Sequence, residues 1–231
     1  MKKNLIIALT FFMALGQIHA QDSKSMITVV GEGKVKVVPD QVSISISVES
    51  NGTKAADVKK ENDSKVDAVL KYIKKMGIAK EDFQTTRVSL NDQYDYEKKK
   101  HNYFAVQSIQ ILIKDLGMYD QLMAGLVESG TNRIGNINFQ SSKIESHKSQ
   151  ARKLAIQNAK AKAQDYVDAL GNLKLHYAHT IVDNSQDNYP QPRYEMMAMK
   201  MADVAGNETL APGEIEVTAN VSVSFLLEYK P

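Results

Sequence analysis

The chain contains no cysteine. That excludes a thiol nucleophile, a disulfide framework and a cysteine-borne lipid anchor. Beyond its first twenty residues it has no apolar run long enough to cross a bilayer. It has no large surplus of either charge, with 29 basic residues against 27 acidic ones. A chain so balanced, with no basic stripe, does not present the electrostatic footprint of a nucleic-acid or anionic-membrane binder. It also lacks a P-loop, an H-E-x-x-H and a G-x-S-x-G, so no familiar phosphate, zinc-protease or serine-hydrolase motif is written in it.

What is present begins with Met1-Lys2-Lys3, an apolar run over 5–15, and Gly16-Gln17-Ile18-His19-Ala20. A basic start, a short apolar stretch and a small residue at the end describe a signal peptide, residues 1–20, cut after Ala20. Cleavage removes Lys2 and Lys3 and leaves 27 residues of each sign, a formal charge of zero. The expectation is an exported protein, periplasmic and not inserted in a membrane, whose disulfide-free fold rests on burial alone. Residues 21–231 read as one continuous domain.

Periodicity supplies the elements. Residues 27–33, I-T-V-V-G-E-G, predict a short strand ending in a glycine turn, with Val35, Val37 and Val38 extended up to Pro39-Asp40. Val42, Ile44, Ile46 and Val48 alternate with polar residues, the period of a half-buried strand. Asn51-Gly52-Thr53 predicts a break and a helix cap, and Val66, Val69, Leu70, Ile73 and Met76 predict the stripe of that helix, stopped by Gly77. Strands follow at 83–90 and 103–114, separated by a charged loop over 91–102. A short amphipathic helix carries Tyr119, Leu122, Met123, Leu126 and Val127, and Ile137 and Phe139 mark another strand. The order over 42–140 is strand, helix, strand, strand, helix, strand, that of a split β-α-β unit on an antiparallel sheet.

The clearest element is a helix over 142–170. Ser142 and Glu145 have the spacing of a capping box, and Gly171 that of a left-handed end. Ala151, Ala155, Ala159 and Ala163, continued by Val167 and Leu170, fall on one face. A face of alanines lets a sheet approach closely. Leu173, Leu175, Tyr177, His179 and Ile181 then alternate as a strand, residues 183–212 read as a polar loop, and Ile215, Val217, Ala219, Val221, Val223, Phe225 and Leu227 close the chain as a strand with one core face. The fold class is α+β: an antiparallel sheet with a split β-α-β core and one long alanine-faced helix packed on it.

Four blocks carry a resemblance: G-E-G-K-V-K-V-V-P-D-Q-V-S-I-S-I-S-V-E over 31–49, M-G-I-A-K-E-D-F-Q-T over 76–85, A-R-K-L-A-I-Q-N-A-K-A-K-A over 151–163 and P-G-E-I-E-V-T-A-N-V-S-V-S-F over 212–225. In this order they resemble the SIMPL-domain family, which includes the YggE-like periplasmic proteins. The resemblance implies an exported α+β protein, often a homo-oligomer and in some relatives ring-like, associated with tolerance of oxidative stress. The family has no agreed catalytic residues to carry over, and no cofactor is expected. Gly31, Gly33, Pro39, Asp40, Gly77, Arg152 and Gly213 read as turn and packing positions.

Several residues invite chemistry. Gly31-Glu32-Gly33 precedes a strand, where a dinucleotide loop needs a helix N-terminus. His176 and His179 are three apart, which in a strand sends them to opposite faces. His101 and His147 are isolated. Asp92, Asp95 and Glu97 lack the glycine and ligand order of a calcium loop. Arg152 reads as a tie from the long helix to a strand end or a carboxylate. The sharper candidate is Met196, Met197, Met199 and Met201. Thioethers suit Cu(I), and methionine sulfoxide formation is reversible. The first reading is therefore a non-enzymatic, self-assembling envelope protein active in oxidative stress. The second is a Cu(I)-binding or oxidant-buffering protein using residues 196–201. An enzyme has no motif behind it. The client is not written in the sequence.

Overall fold

The computed structural model describes residues 25–185 and 210–230. Residues 1–20, read above as a signal peptide, and Met196, Met197, Met199 and Met201 lie outside the described residues. Seven strands and three main helices follow one another: β1 Met26–Val37, β2 Gln41–Gly52, α1 Ala55–Lys75, β3 Phe83–Asp95, β4 Lys100–Ile113, α2 Tyr119–Glu128, β5 Arg133–Gln140, α3 Ile144–Leu170, β6 Leu173–Asp183 and β7 Ile215–Tyr229.

The antiparallel strands divide between two sheets, in the orders β3-β4-β2-β5 and β1-β7-β6. In the first, β2 and β3 run the same way with β4 antiparallel between them, and α1 makes the crossover. β4 and β5 repeat the arrangement around β2, with α2 crossing. This is the split β-α-β unit that the order over 42–140 predicts. Val42, Ile44, Ile46 and Val48 on β2 and Ile109, Ile111 and Ile113 on β4 are all fully buried under Val69, Ile73, Leu122 and Leu126 from the helices. Each such side chain contributes roughly 1.5–3 kcal/mol of burial, so this is the stronger of two cores. Asn62 on α1 enters it as a polar residue and donates from Nδ2 to the Val48 carbonyl at 2.9 Å.

The second core lies between α3 and the three-stranded sheet. Ala151, Ala155, Ala159 and Ala163 are fully buried, facing Val29, Val217, Val221, Val223 and Phe225. Gly31 and Gly33 do not form a turn. Strand β1 runs straight through them, and both are buried. A methyl group built on Gly31 would stand 2.0 Å from the Ala155 carbonyl oxygen, and one on Gly33 2.0 Å from that of Ala151. The helix backbone therefore rests on the strand where neither side has bulk. Asn158 Oδ1 accepts from the Glu32 backbone N–H at 3.1 Å, and Lys162 Nζ donates to the Val30 carbonyl at 2.9 Å.

Other expectations change in the structure. The capping box does not form, because Asp40 takes Ser142 first. The Ser142 backbone N–H donates to Asp40 Oδ1 at 2.7 Å and its hydroxyl to Oδ2 at 2.6 Å. Helix α3 then starts two residues later, with Lys143 at its N-cap and Glu145 paired to Lys148. Asp40 lies between β1 and β2, and Ser142 between β5 and α3. The clasp joins the two places where the chain passes from one core to the other. Pro39 beside it is buried. Leu170, the last residue of α3, does not continue the alanine rail and is exposed. Residues 51–53 cap nothing: β2 continues to Gly52, and Lys54 stands at the N-cap of α1 without a side-chain hydrogen bond. The loop over 91–102 is mostly strand, with β3 running to Asp95 and β4 resuming at Lys100. Cross-strand pairing overrides the polar composition there. The alternation in β6 is broken by two register shifts. Gly77, Gly171 and Gly213 do end elements or turns with positive φ, at 79°, 77° and 58°.

Two predictions follow from this geometry. Gly31→Ala or Gly33→Ala lowers stability by about 3 kcal/mol, since an added methyl meets helix backbone that cannot rotate away. A shift of the urea midpoint checks this, and an unchanged midpoint contradicts the close approach. Asp40→Asn costs about 1 kcal/mol at pH 7, the pair being open to solvent. The Ser142 hydroxyl and N–H hold the Asp40 carboxyl below its ordinary pKa. Its contribution is therefore present above the ordinary carboxylate range and is lost as pH falls through the lowered value. The difference between the two proteins should shrink in acid, as followed by urea unfolding at stepped pH.

Candidate functional site

Residues singled out from sequence are dispersed rather than convergent. Gly31, Gly33, Ala151, Ala155, Ala159 and Ala163 share the helix–strand seam, where they fill space and offer no free chemistry. Arg152, one residue along, is exposed, and its charge acts on Asp183 at the end of β6. The Asp183 carboxyl is held low, first by the Ser185 side chain, then by the Ser185 backbone, with Arg152 a smaller influence. His176 lies 3.6 Å from Glu228 and against the Tyr177 ring, 4.7 Å between centroids. Tyr119 is raised, first by burial and then by Asp120. Among the described residues, no three His, Cys, Asp or Glu side chains gather closely enough to hold a metal ion.

Exposed polar and aromatic chemistry collects at the outer end of the β3–β4 hairpin. Asp95 Oδ1 accepts the Glu97 and Lys98 backbone N–H groups, both at 3.0 Å, and this closes the turn. Lys99 completes it with φ of 49°. The register puts Tyr94 opposite His101 and Asp92 opposite Tyr103. Directly paired residues share a face, so these four side chains meet on one side of the hairpin. His101 is not isolated: its Nδ1 lies 2.8 Å from Asp92 Oδ2 and 3.0 Å from Oδ1. Its ring stands edge-on to Tyr94 at 5.0 Å and stacks on Tyr103 at 6.3 Å, while Tyr94 also meets Tyr96 edge-on at 5.0 Å. On β3 itself, Val88 and Leu90 extend the same face inward and are exposed, at 67% and 43%.

This surface is suited to contact more than to catalysis. It combines flat rings, one imidazole–carboxylate pair and an apolar strip, while the paired Gln93–Asn102 and Asp95–Lys100, on the hairpin's other face, line a cleft of about 490 Å³ that reaches Thr53. The sequence does contain the signal that would have found it. Tyr94 and Tyr96, with His101 and Tyr103, keep a period of two on either side of the turn, but the intervening lysines and acids hide it.

Comparison with known proteins agrees with the fold. Residues 27–225 match the model of the SIMPL family, described as a protein of unknown function. The chain is 28% identical to the uncharacterized protein YggE of Escherichia coli K12, over 96% of this chain and 93% of that one. It is 24% identical to YggE of Edwardsiella ictaluri, over 90% of each. It is also 28% identical to the 26 kDa periplasmic immunogenic protein of Brucella melitensis, over 88% of this chain and 84% of the other. Matched along most of its length, in the element order its own residues dictate, the chain belongs to the SIMPL family.

Proposed function

We propose that this chain is an exported, periplasmic, non-enzymatic SIMPL protein that assembles with copies of itself and contributes to protection of the envelope under oxidative stress. The observation that carries the assembly reading is the apolar and aromatic strip of the β3–β4 hairpin, where Val88, Leu90, Tyr94 and Tyr96 stand exposed together. Exposed groups of this kind, grouped rather than scattered, mark protein contact surfaces. Further exposed apolar side chains, Tyr177, Ile181 and Val182, line β6. Export is supported by the basic and apolar opening of the sequence and by a relative named as a periplasmic protein. The protective role rests on the family's association with oxidative stress.

A second reading is favoured by one sequence observation, the four methionines within Y-E-M-M-A-M-K-M at 194–201. Here the protein would bind Cu(I) or consume oxidant through its thioethers.

Light scattering of residues 21–231 over a wide concentration range tests the first reading. A defined oligomer that persists on dilution is the expected result, and a monomer at every concentration overturns it. Replacing Met196, Met197, Met199 and Met201 with leucine separates the two readings. Unchanged mass with loss of Cu(I) binding favours the second, and loss of the oligomer favours the first.

A further inference from the structure

Two antiparallel sheets present four edges, and three are obstructed among the described residues. The middle of β1 spends its outward Glu32 N–H and Val30 carbonyl on Asn158 and Lys162 of α3. Strand β5 is only eight residues long and slips register against β2. Strand β6 slips twice against β7. Bulges, short strands and covering side chains are the ordinary ways of closing an edge to foreign strands.

Strand β3 is different. It slips once, between Thr85 and Arg87, and from Arg87 to Asp95 its nine residues then pair with β4 without a break. That run contains no proline and no lysine. Its side chains are largely exposed. An edge this long and regular can accept another strand along its whole length.

We propose that the β3 edge is a self-pairing interface, occupied by β3 of a second copy, antiparallel and related by a two-fold axis at Asn91. The proposal names the contact for the assembly reading above and rests on it. The run Arg87 to Asp95 is centred on Asn91, so this register uses all nine residues. It sets Arg87 of one copy opposite Asp95 of the other, twice, and the two charges are complementary. Val88 of one copy faces Tyr94 of the other, a β-branched residue against an aromatic one, which is a favourable cross-strand pair. Ser89, whose hydroxyl is buried without a hydrogen-bond partner among the described residues, comes opposite Gln93, whose carboxamide supplies one. Asn91 meets Asn91 on the axis. Pairs of this polar kind already join strands within the chain: Thr28 Oγ1 lies 2.8 Å from Ser224 Oγ, and Ser47 Oγ 2.8 Å from Ser108 Oγ. An isologous contact is the form that closes rather than propagates.

The absence of native cysteine makes the test direct. Asn91→Cys places one thiol per chain at the axis. Residues opposed across antiparallel strands have Cα atoms roughly 4.5–5.5 Å apart, inside the disulfide range of roughly 4.4–6.8 Å. Under mild oxidation the full mature protein should become a covalent dimer, at least tenfold faster than a Glu97→Cys control at the hairpin turn. Failure of Asn91→Cys to link, or linking no faster than the control, overturns the proposal and leaves the edge to another occupant or to none. Arg87→Glu should weaken dimerisation at least tenfold, because it sets two acids against each other at each end of the pairing. Dimerisation unchanged by Arg87→Glu also counts against the register. The native mass of the unaltered protein keeps the two ideas apart. An oligomer that Asn91→Cys does not link sinks the β3 interface while the assembly reading stands, and a monomer sinks both.

Discussion

Close contact between α3 and β1 is the constraint on which half of this molecule depends. Alanine methyl groups gain little by burial, on the order of 0.8 kcal/mol each, against several times that for the isoleucines of the other core. The rail of Ala151, Ala155, Ala159 and Ala163 therefore cannot hold a helix of 27 residues to a sheet by transfer energy alone. It does so by letting backbone meet backbone, where many dispersion contacts add. That is why the strand opposite must present Gly31 and Gly33. Any side chain there would lift the helix and forfeit those contacts along its length. The same approach brings Asn158 and Lys162 within reach of the strand edge, so the seam that binds the helix also closes β1 to other strands.

The two cores are built on different principles, and the chain passes between them twice. The four-stranded core relies on large aliphatic side chains, the three-stranded one on the absence of them. Asp40 clasps the two passages through Ser142. This contact lies in solvent and is modest in energy, but it acts where a shift would move one core relative to the other. It also sets where α3 begins.

The outer half of the hairpin formed by β3 and β4 is a part of the four-stranded sheet that its helices leave exposed. Near its base the inward residues are Ala105 and Ile109, both buried. Beside them on β3, the same face carries Val88 and Leu90, and further out Tyr94, all three exposed. The helices α1 and α2 lie over β2 and β4. They leave the side chains of the edge strand largely exposed.

Much of the architecture was legible from residue order. The alternation in β2, β4 and β7, the alanine period in α3 and the strand–helix order over 42–140 depend on local periodicity, and periodicity is a property of sequence. Gly77 and Gly171 were legible for the same reason, since a left-handed terminus favours one residue type. Other features were set by partners distant in the chain. Gly31 and Gly33 read as a turn until α3 was placed over them. Ser142 read as a cap until Asp40, about a hundred positions earlier, took its hydrogen bonds. Asp92 and His101 read as separate residues in a loop until pairing between β3 and β4 brought them together. Local periodicity determined which segments become helices and strands and which face each one buries. Tertiary structure alone decided what each buried face meets, because a hydrogen bond or a steric contact is specified by both of its partners.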